Sequence, residues 1–497
     1  MIPSLWSSLS IHATRSRLGF LVSLVLASAG TLPAPTVASA ENAHAPQLKV
    51  GFAETDITPQ VKQRTVYMAG FGKGRVATGV HDPLMVRAVV FQHNNEKIAM
   101  VSVDVVGLFY EFTQKIRTRL PGYKYVLVSA THNHEGPDTM GLWGPNPFLS
   151  GIDQKYMSHL QNQVVKAVQS AAKNLRSANT RLGKHRAPEL LHDSRKPLVK
   201  HDEIVVLQFL QPKSSQSIGI LVQWNCHPEV LGGSNKLITA DHVGYTVAYL
   251  KRKYKCPVAY FTGTVGGLMT NLRVPVRDKN GKLLKDRTFQ KAERYGNLVG
   301  EAADTALKES LPVKLYPFDV RQKQIYLPIA NEVYLLGWKL GVLRRKAYKW
   351  NGNIEKAKEL PRRNTSVKNL CLRTEVGYIR LGELGVAAIP GEIYPELVLG
   401  KYQDPVEPGA DYPKSKLEPS IYSQFSTKHK MIIGLANDEI GYIIPKRQWD
   451  QKPPYCYGRK RSQYGEINSL GSETAPLLCD AFCELLRKRK TKKIHPN

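Results

Sequence analysis

Along this chain, apolar and β-branched residues come in short runs bounded by polar or turn-forming residues. Lys97–Val106, Tyr123–Ala130, Glu203–Leu210, Ile218–Trp224 and Val258–Thr262 follow that pattern and are predicted to be strands. Between them the spacing turns helical over Tyr156–Leu175, His242–Tyr254 and Thr288–Ser310. A last helix is predicted over Ser472–Arg487, with Ser472 as its N-cap. Strand and helix alternate, which predicts an α/β, or mixed α+β, fold: multi-stranded sheets with flanking helices in one large domain. No internal repeat and no long Pro/Ser/Gly linker divides it. Glu332–Arg363 stands out as an insert that is basic and partly helical. From Lys339 to Arg363 it carries nine Lys/Arg against Glu355 and Glu359, the composition of a solvated helical face.

The N-terminus changes the compartment. Arg15 and Arg17 precede the apolar stretch Leu18–Ala29, and Ala38-Ser39-Ala40 offers a small-x-small cleavage site. Residues 1–40 therefore read as a cleavable signal peptide, the apolar stretch being too short to span a bilayer comfortably. The expected organisation is a signal at 1–40, a catalytic-type domain at 41–490 and a basic tail at 491–497, in a secreted or periplasmic protein. Export permits disulfides among Cys226, Cys256, Cys371, Cys456, Cys479 and Cys483, but six cysteines in 497 residues are too sparse for a disulfide scaffold. Cys479 and Cys483 fall on one face of the last helix, where two buried thiols are the simpler expectation.

Charge is the compositional outlier: 70 Lys+Arg against 41 Asp+Glu, a net +29. Removing the signal leaves +27, and removing the six cations between Arg487 and Lys493 still leaves +21, so the charge belongs to the folded body. An anionic partner follows: a headgroup, an acidic surface polymer or a phosphate. Export and the lack of any finger or basic-zipper signature argue against nucleic acid.

The candidate chemistry begins where the run Val126–Ala130 meets Thr131-His132-Asn133-His134-Glu135-Gly136-Pro137. Extended backbone continued into His-x-His would set both imidazoles on one face. Imidazole is a good zinc ligand, and a catalytic zinc takes about three protein ligands plus an open position. A further histidine, His227, follows another apolar run in Asn225-Cys226-His227-Pro228. Asp104, Asp241 and Glu392 are carboxylates that could complete such a site. The Thr262–Gly267 loop could offer backbone N–H groups to an anion, but it lacks the Lys-Ser/Thr of a P-loop.

The order of these motifs resembles one family. Asp56-Ile57-Thr58-Pro59, Gly79–Leu84 with Arg87, Thr131–Pro137, Asn225–Pro228, Ala240–Gly244, Pro390-Gly391-Glu392 and Gly434–Tyr442 follow one another as in the catalytic domain of neutral (non-lysosomal) ceramidases, over about residues 48–487. The resemblance implies one zinc ion held by His132, His227, Glu392 and Tyr442. It also implies His134 as the proton-handling or carbonyl-orienting group, Tyr464 as a donor to the developing oxyanion, and Arg195 as an active-site arginine. There are three departures from the family. Its Gly-Asp-x-Ser-Pro-Asn reads Gly266-Gly267-Leu268-Met269-Thr270-Asn271, Glu135 follows His-x-His where the family has serine, and the chain ends before the family's C-terminal immunoglobulin-like domain. The expected function is hydrolysis of an amide bond in a small-molecule or lipid-like N-acyl substrate. The alternatives are a metallohydrolase for an ester, phosphoester or acidic glycan derivative, or a non-catalytic binder of anionic envelope polymer.

Overall fold

The computed structural model describes residues 47–214, 216–361 and 368–487. The expected signal peptide and the 491–497 tail lie outside the described residues, as do Arg362 and Arg363 of the insert.

Three sheets share one plan. In the first, β1 (Lys49–Asp56), β2 (Met85–His93) and β3 (Glu96–Val103) run antiparallel, and β4 (Tyr125–Ala130) lies parallel to β3. In the second, β5 (Asn179–Arg186), β6 (Glu203–Leu210) and β7 (Ser217–Trp224) run antiparallel, and β8 (Val258–Thr262) lies parallel to β7. In the third, β9 (Phe318–Pro328), β10 (Leu370–Leu381) and β11 (Leu384–Ala388) run antiparallel, and β12 (His429–Ile433) lies parallel to β11. Each sheet thus ends in one parallel pair.

One apolar cluster joins all three sheets: Phe52 and Phe91 from the first, Leu207 and Leu221 from the second, Ile379 and Met431 from the third. Helices cover the outer faces, beginning with α1 (Tyr110–Thr118), which buries Ile116. The helix α2 (Gln154–Lys173) lays Leu160, Val164 and Val168 on the first sheet, and α3 (Asp241–Tyr254) with α4 (Phe289–Lys308) covers the second. The closing helix, Thr474–Leu486, packs Leu478 and Phe482 on the third. Strands covered on both faces read as continuous apolar runs, which is why the five predicted ones are found. The mixed α/β class is as expected.

Two of the strands missed from sequence have an interrupted apolar run, whereas Leu384–Ala388 was missed although all five positions are buried. Phe318–Pro328 carries Asp319, Arg321, Gln322 and Lys323 on partly exposed positions. Asn179–Arg186 interleaves Arg181 and Lys184. Both gain their identity from long antiparallel pairing with a neighbour that the local pattern does not contain. Two local expectations also fail. Ser472 does not cap the last helix; Glu473 holds the N-cap position without a side-chain bond. The insert is not a uniformly solvated face: α5 (Glu332–Lys339) buries Trp338, and Arg345 is buried against Asp438 at 2.7 Å.

The loops after β7 and β8 are tied through His201. Its buried ring meets Thr264 Oγ1 through Nδ1 at 2.7 Å, and its carbonyl accepts from Asn225 at 2.9 Å. Burial pushes this imidazole down to about 4, with Lys184 and Lys401 adding to the effect and Asp202 opposing it. Below pH 6.5 the unfolded chain takes up a proton that native His201 refuses. The stabilisation is therefore complete above 6.5 and is lost as pH falls towards 4, by about 3 kcal/mol at most. Thermal unfolding measured between pH 7 and 4.5 is expected to show this acid limb, and His201→Gln is expected to flatten it; an unchanged limb in that variant would exclude the assignment.

Candidate metal centre

The C-terminal ends of the parallel pairs meet, and the loops leaving them carry the candidate residues. Thr262 Oγ1 donates to Thr131 O at 2.7 Å, Gly434 N to Thr262 O at 3.0 Å, and Asn437 N to Val128 O at 2.7 Å, stitching the ends of β4, β8 and β12 together. His132 and His134 follow β4, His227 follows β7, Glu392 follows β11 and Tyr442 follows β12. Glu392–Ile393 and Tyr442–Ile443 pair in parallel with Glu392 directly opposite Tyr442, so one short ladder sets two candidate ligands side by side.

The two histidines of His-x-His do come together, but not by strand alternation. The strand stops at Ala130 and His132 adopts φ +66°, a left-handed turn that swings its ring back toward its neighbours. Ring centroids lie 4.8 Å apart for His132–His134 and His132–His227, and 5.5 Å for His134–His227. Each of the three buried imidazoles offers a nitrogen within 4.8 Å of the other two.

Two of these rings are oriented by carbonyls. His132 Nδ1 donates to Val106 O at 2.7 Å, and His227 Nδ1 donates to Met269 O at 2.8 Å. Both Nε2 atoms face Glu392 Oε2, at 3.3 and 3.0 Å, and on losing a proton each would turn a lone pair to the same point. Orientation of a ligand histidine through its other nitrogen is the usual arrangement at a metal site. Two lone pairs and a carboxylate oxygen converging on one buried point fit a divalent cation, so His132, His227 and Glu392 can hold one, with Tyr442 beside them.

Charge in this buried site is set by mutual contact. Burial opposes ionisation of Glu392, but His132 and His227 outweigh it and hold the carboxyl well below its usual range. Burial lowers His227, yet Glu392 and Glu229 carry it up to about 8. His134 is pushed well below its ordinary value, by burial first and then by His132 and His227. Burial also raises Tyr442.

A cavity of ≈170 Å³ opens over the centre. His132, His134, Glu392, Tyr442 and Tyr464 form its polar floor, and Val106, Met140, Leu142, Trp143, Leu343 and Ile440 are among its apolar walls. Arg195 does not line it. Its guanidinium is bidentate to Glu466 at 2.8 Å and donates to the carbonyls of Tyr464 and Gln448 at 2.7 Å, so it holds the turn carrying Tyr464 from beneath.

Sequence reasoning missed two carboxylates. Glu229 Oε2 lies 3.4 Å from His134 Nδ1. It sits two residues after His227, a spacing that was open to inspection. Glu439 lines the cavity and accepts from Gly441 N at 2.7 Å through Oε1; its neighbourhood is visible only in three dimensions.

The remaining candidates are structural. Asp104 pairs with Arg87 at 2.8 Å, and Asp241 accepts from the amides of Leu231 and His242. Amides of the Thr262–Gly267 loop are engaged internally, Gly263 N with Trp224 O and Thr264 N with Asn225 Oδ1. Glu135 is paired with Arg75 at 2.9 Å, and Arg75 also binds the carbonyl of His134. Met269 buries its side chain in the core while its carbonyl orients His227. All six cysteines are buried and unpaired.

Residues 48–270 match the model of the neutral/alkaline non-lysosomal ceramidase N-terminal domain. That stretch belongs to the neutral ceramidase family. The neutral ceramidases of Drosophila melanogaster and Drosophila pseudoobscura pseudoobscura are each 25% identical over 237 residues, covering 41% of this chain and 32% of theirs. The match thus spans about a third of the length of these curated relatives. The crystal structure of neutral ceramidase from Pseudomonas aeruginosa superposes with a TM-score of 0.65 at 16% identity, over 89% of this chain and 74% of that one. A ceramidase complexed with C2 has the same TM-score and identity, over 89% and 75%. At this identity the likeness is one of fold. The neutral ceramidase match contains His132, His134, Arg195 and His227, whereas Glu392, Tyr442 and Tyr464 come from beyond residue 270 and reach the site through tertiary structure.

Arg195→Met should leave Glu466 as an uncompensated buried charge and cost about 3–5 kcal/mol. Chemical denaturation checks this; a loss below about 1 kcal/mol would mean that the pair is dispensable.

Proposed function

We propose that this chain is an exported zinc-dependent amidase of the neutral ceramidase kind, acting on a lipid-like N-acyl substrate. The observation that carries the reading is the meeting of His132 Nε2, His227 Nε2 and Glu392 Oε2 beneath an apolar cavity whose floor includes His132 and Glu392. His132, His227, Glu392 and Tyr442 are assigned as the ligands. When bound, zinc supplies Lewis acidity and lowers the pKa of water to about 7.

The chain's own residues supply the rest. The apolar walls take the acyl chain and keep solvent from the reacting carbonyl. His134, kept neutral near pH 7 by burial and by its imidazole neighbours, accepts a proton on Nε2 and returns it to the departing amine. Glu229 Oε2 faces that ring's other nitrogen, Nδ1, at 3.4 Å. Tyr464 is half exposed at the mouth, and its hydroxyl donates to the oxygen on which negative charge develops. Arg195 acts through Tyr464 and Glu466 as a positioning residue. The catalytic domain is assigned to 41–490 and the signal to 1–40, with a secreted or periplasmic location. Ceramide is a natural member of the substrate panel because the relatives are ceramidases. Gly267 and Met269 leave no serine hydroxyl in the loop that supports His227.

Metal analysis coupled to hydrolysis of N-acyl, ester and phosphoester substrates tests this reading. His132→Ala and His227→Ala should each lose both zinc and activity. His134→Ala should keep zinc and lose about 10²–10⁴-fold in kcat. A fully active metal-free enzyme would refute the proposal, and turnover of phosphoesters alone would move it to another reaction class.

A further inference from the structure

Twelve large apolar residues are exposed among the described residues, and seven of them sit on the three segments that wall the cavity over the metal centre. The loop bearing Leu142 and Trp143 exposes Phe148 and Leu149. Helix α5, which gives Val333 and Tyr334 to the wall, exposes Val333 and Leu336, and its C-cap Leu340 is exposed as well. The turn bearing Tyr464 exposes that ring and Ile467. Scattered single apolar residues are normal on a surface, but seven of them on the three segments that wall one opening mark an interaction site.

Cations surround the ring. Lys339 and Arg344 are exposed on the α5 side. On the Tyr464 side, a groove of ≈860 Å³ sets Arg459 and Arg461 alongside Val333, Tyr464 and Ile467. None of these four cations has a carboxylate within ion-pair distance among the described residues. Glu332 is the opposing charge on this rim, and Glu466 is neutralised by buried Arg195. Apolar knobs flanked by unpaired Lys and Arg complement an anionic lipid surface: the side chains enter the acyl boundary while the cations meet headgroups. A protein partner needs a matched acidic and apolar face, whereas a bilayer accepts any arrangement of knobs and cations that shares a plane. No described helix is long and apolar enough to cross a membrane, so the contact required is one of lying on the surface.

We propose that α5, the 148–149 loop tip and the 464–467 turn form a docking surface for anionic bilayers, which seats the cavity mouth against the lipid from which an acyl chain can enter directly. Docking is independent of catalysis, whereas the delivery role rests on the amidase reading given above.

The test uses the full mature chain with vesicles of phosphatidylcholine, alone or mixed with phosphatidylglycerol. Co-sedimentation should show binding to the mixed vesicles that weakens with salt. Leu336→Ser/Leu340→Ser and Lys339→Gln/Arg344→Gln should each bind about tenfold more weakly with unchanged melting. These four residues lie outside the cavity, so turnover of a short water-soluble N-acyl substrate should not change, while turnover of a vesicle-embedded one should fall about tenfold. Equal binding by wild type and both variants, or no vesicle binding by wild type, would overturn the proposal. A dimer seen by sedimentation velocity and lost in the leucine variant would assign the patch to a second copy of this chain instead. If neither substrate is turned over, the amidase reading fails and the binding result still decides the surface.

Discussion

Two imidazole nitrogens and one carboxylate oxygen are held about 3 Å apart in a place that water scarcely reaches, and the surrounding structure is organised to keep them there. An unpaired charge in such a position would cost several kcal/mol. Here Glu392 gains His132 and His227 as partners, and each ring is fixed from behind by a backbone carbonyl, Val106 O or Met269 O. Because those carbonyls take the Nδ1 protons, the tautomers are decided before any ligand arrives. The favoured arrangement is one in which both Nε2 atoms and the carboxylate oxygen face a common point.

That point exists because three sheets end the same way. Each closes on a parallel pair, and the C-terminal ends of those pairs abut through Thr262, Gly434 and Asn437. Apolar side chains on the inner faces weld the sheets into one core, so the loops leaving the strands have rigid roots. Sites at the carboxyl ends of parallel strands recur in α/β proteins for this reason. Here three sheets contribute, which explains how candidate residues more than 300 positions apart in sequence, such as His132 and Tyr442, come to line one cavity.

The chain's departures from the ceramidase pattern take on a physical meaning in this setting. Met269 fills core volume, and the function left to that position is carried by its carbonyl on His227. Glu135 looks on paper like an extra acid beside the histidines, yet it is buried against Arg75, which clamps the carbonyl of His134. Both changes bear on how firmly the histidines are held. The surroundings of the opening, apolar and cationic together, relate the interior chemistry to the high positive charge of the whole chain.

Much of this was legible in the sequence. Long apolar runs such as Val126–Ala130 fixed strands because burial on both faces leaves no other composition, and the ordered motifs around His132, His227, Glu392 and Tyr442 pointed to one family and one set of ligands. Other features were decided only in three dimensions. The left-handed turn at His132, where strand alternation was expected, depends on the carbonyl of Val106 across the site. Arg195 became a buried strut because Glu466 lies beneath the Tyr464 turn. Polar-interrupted strands such as Phe318–Pro328 exist because a neighbour 43 to 63 residues away pairs with them. Local pattern records what a residue needs, an apolar face or a polar partner; which partner meets that need is settled by chain closure, and closure is not written at any single position.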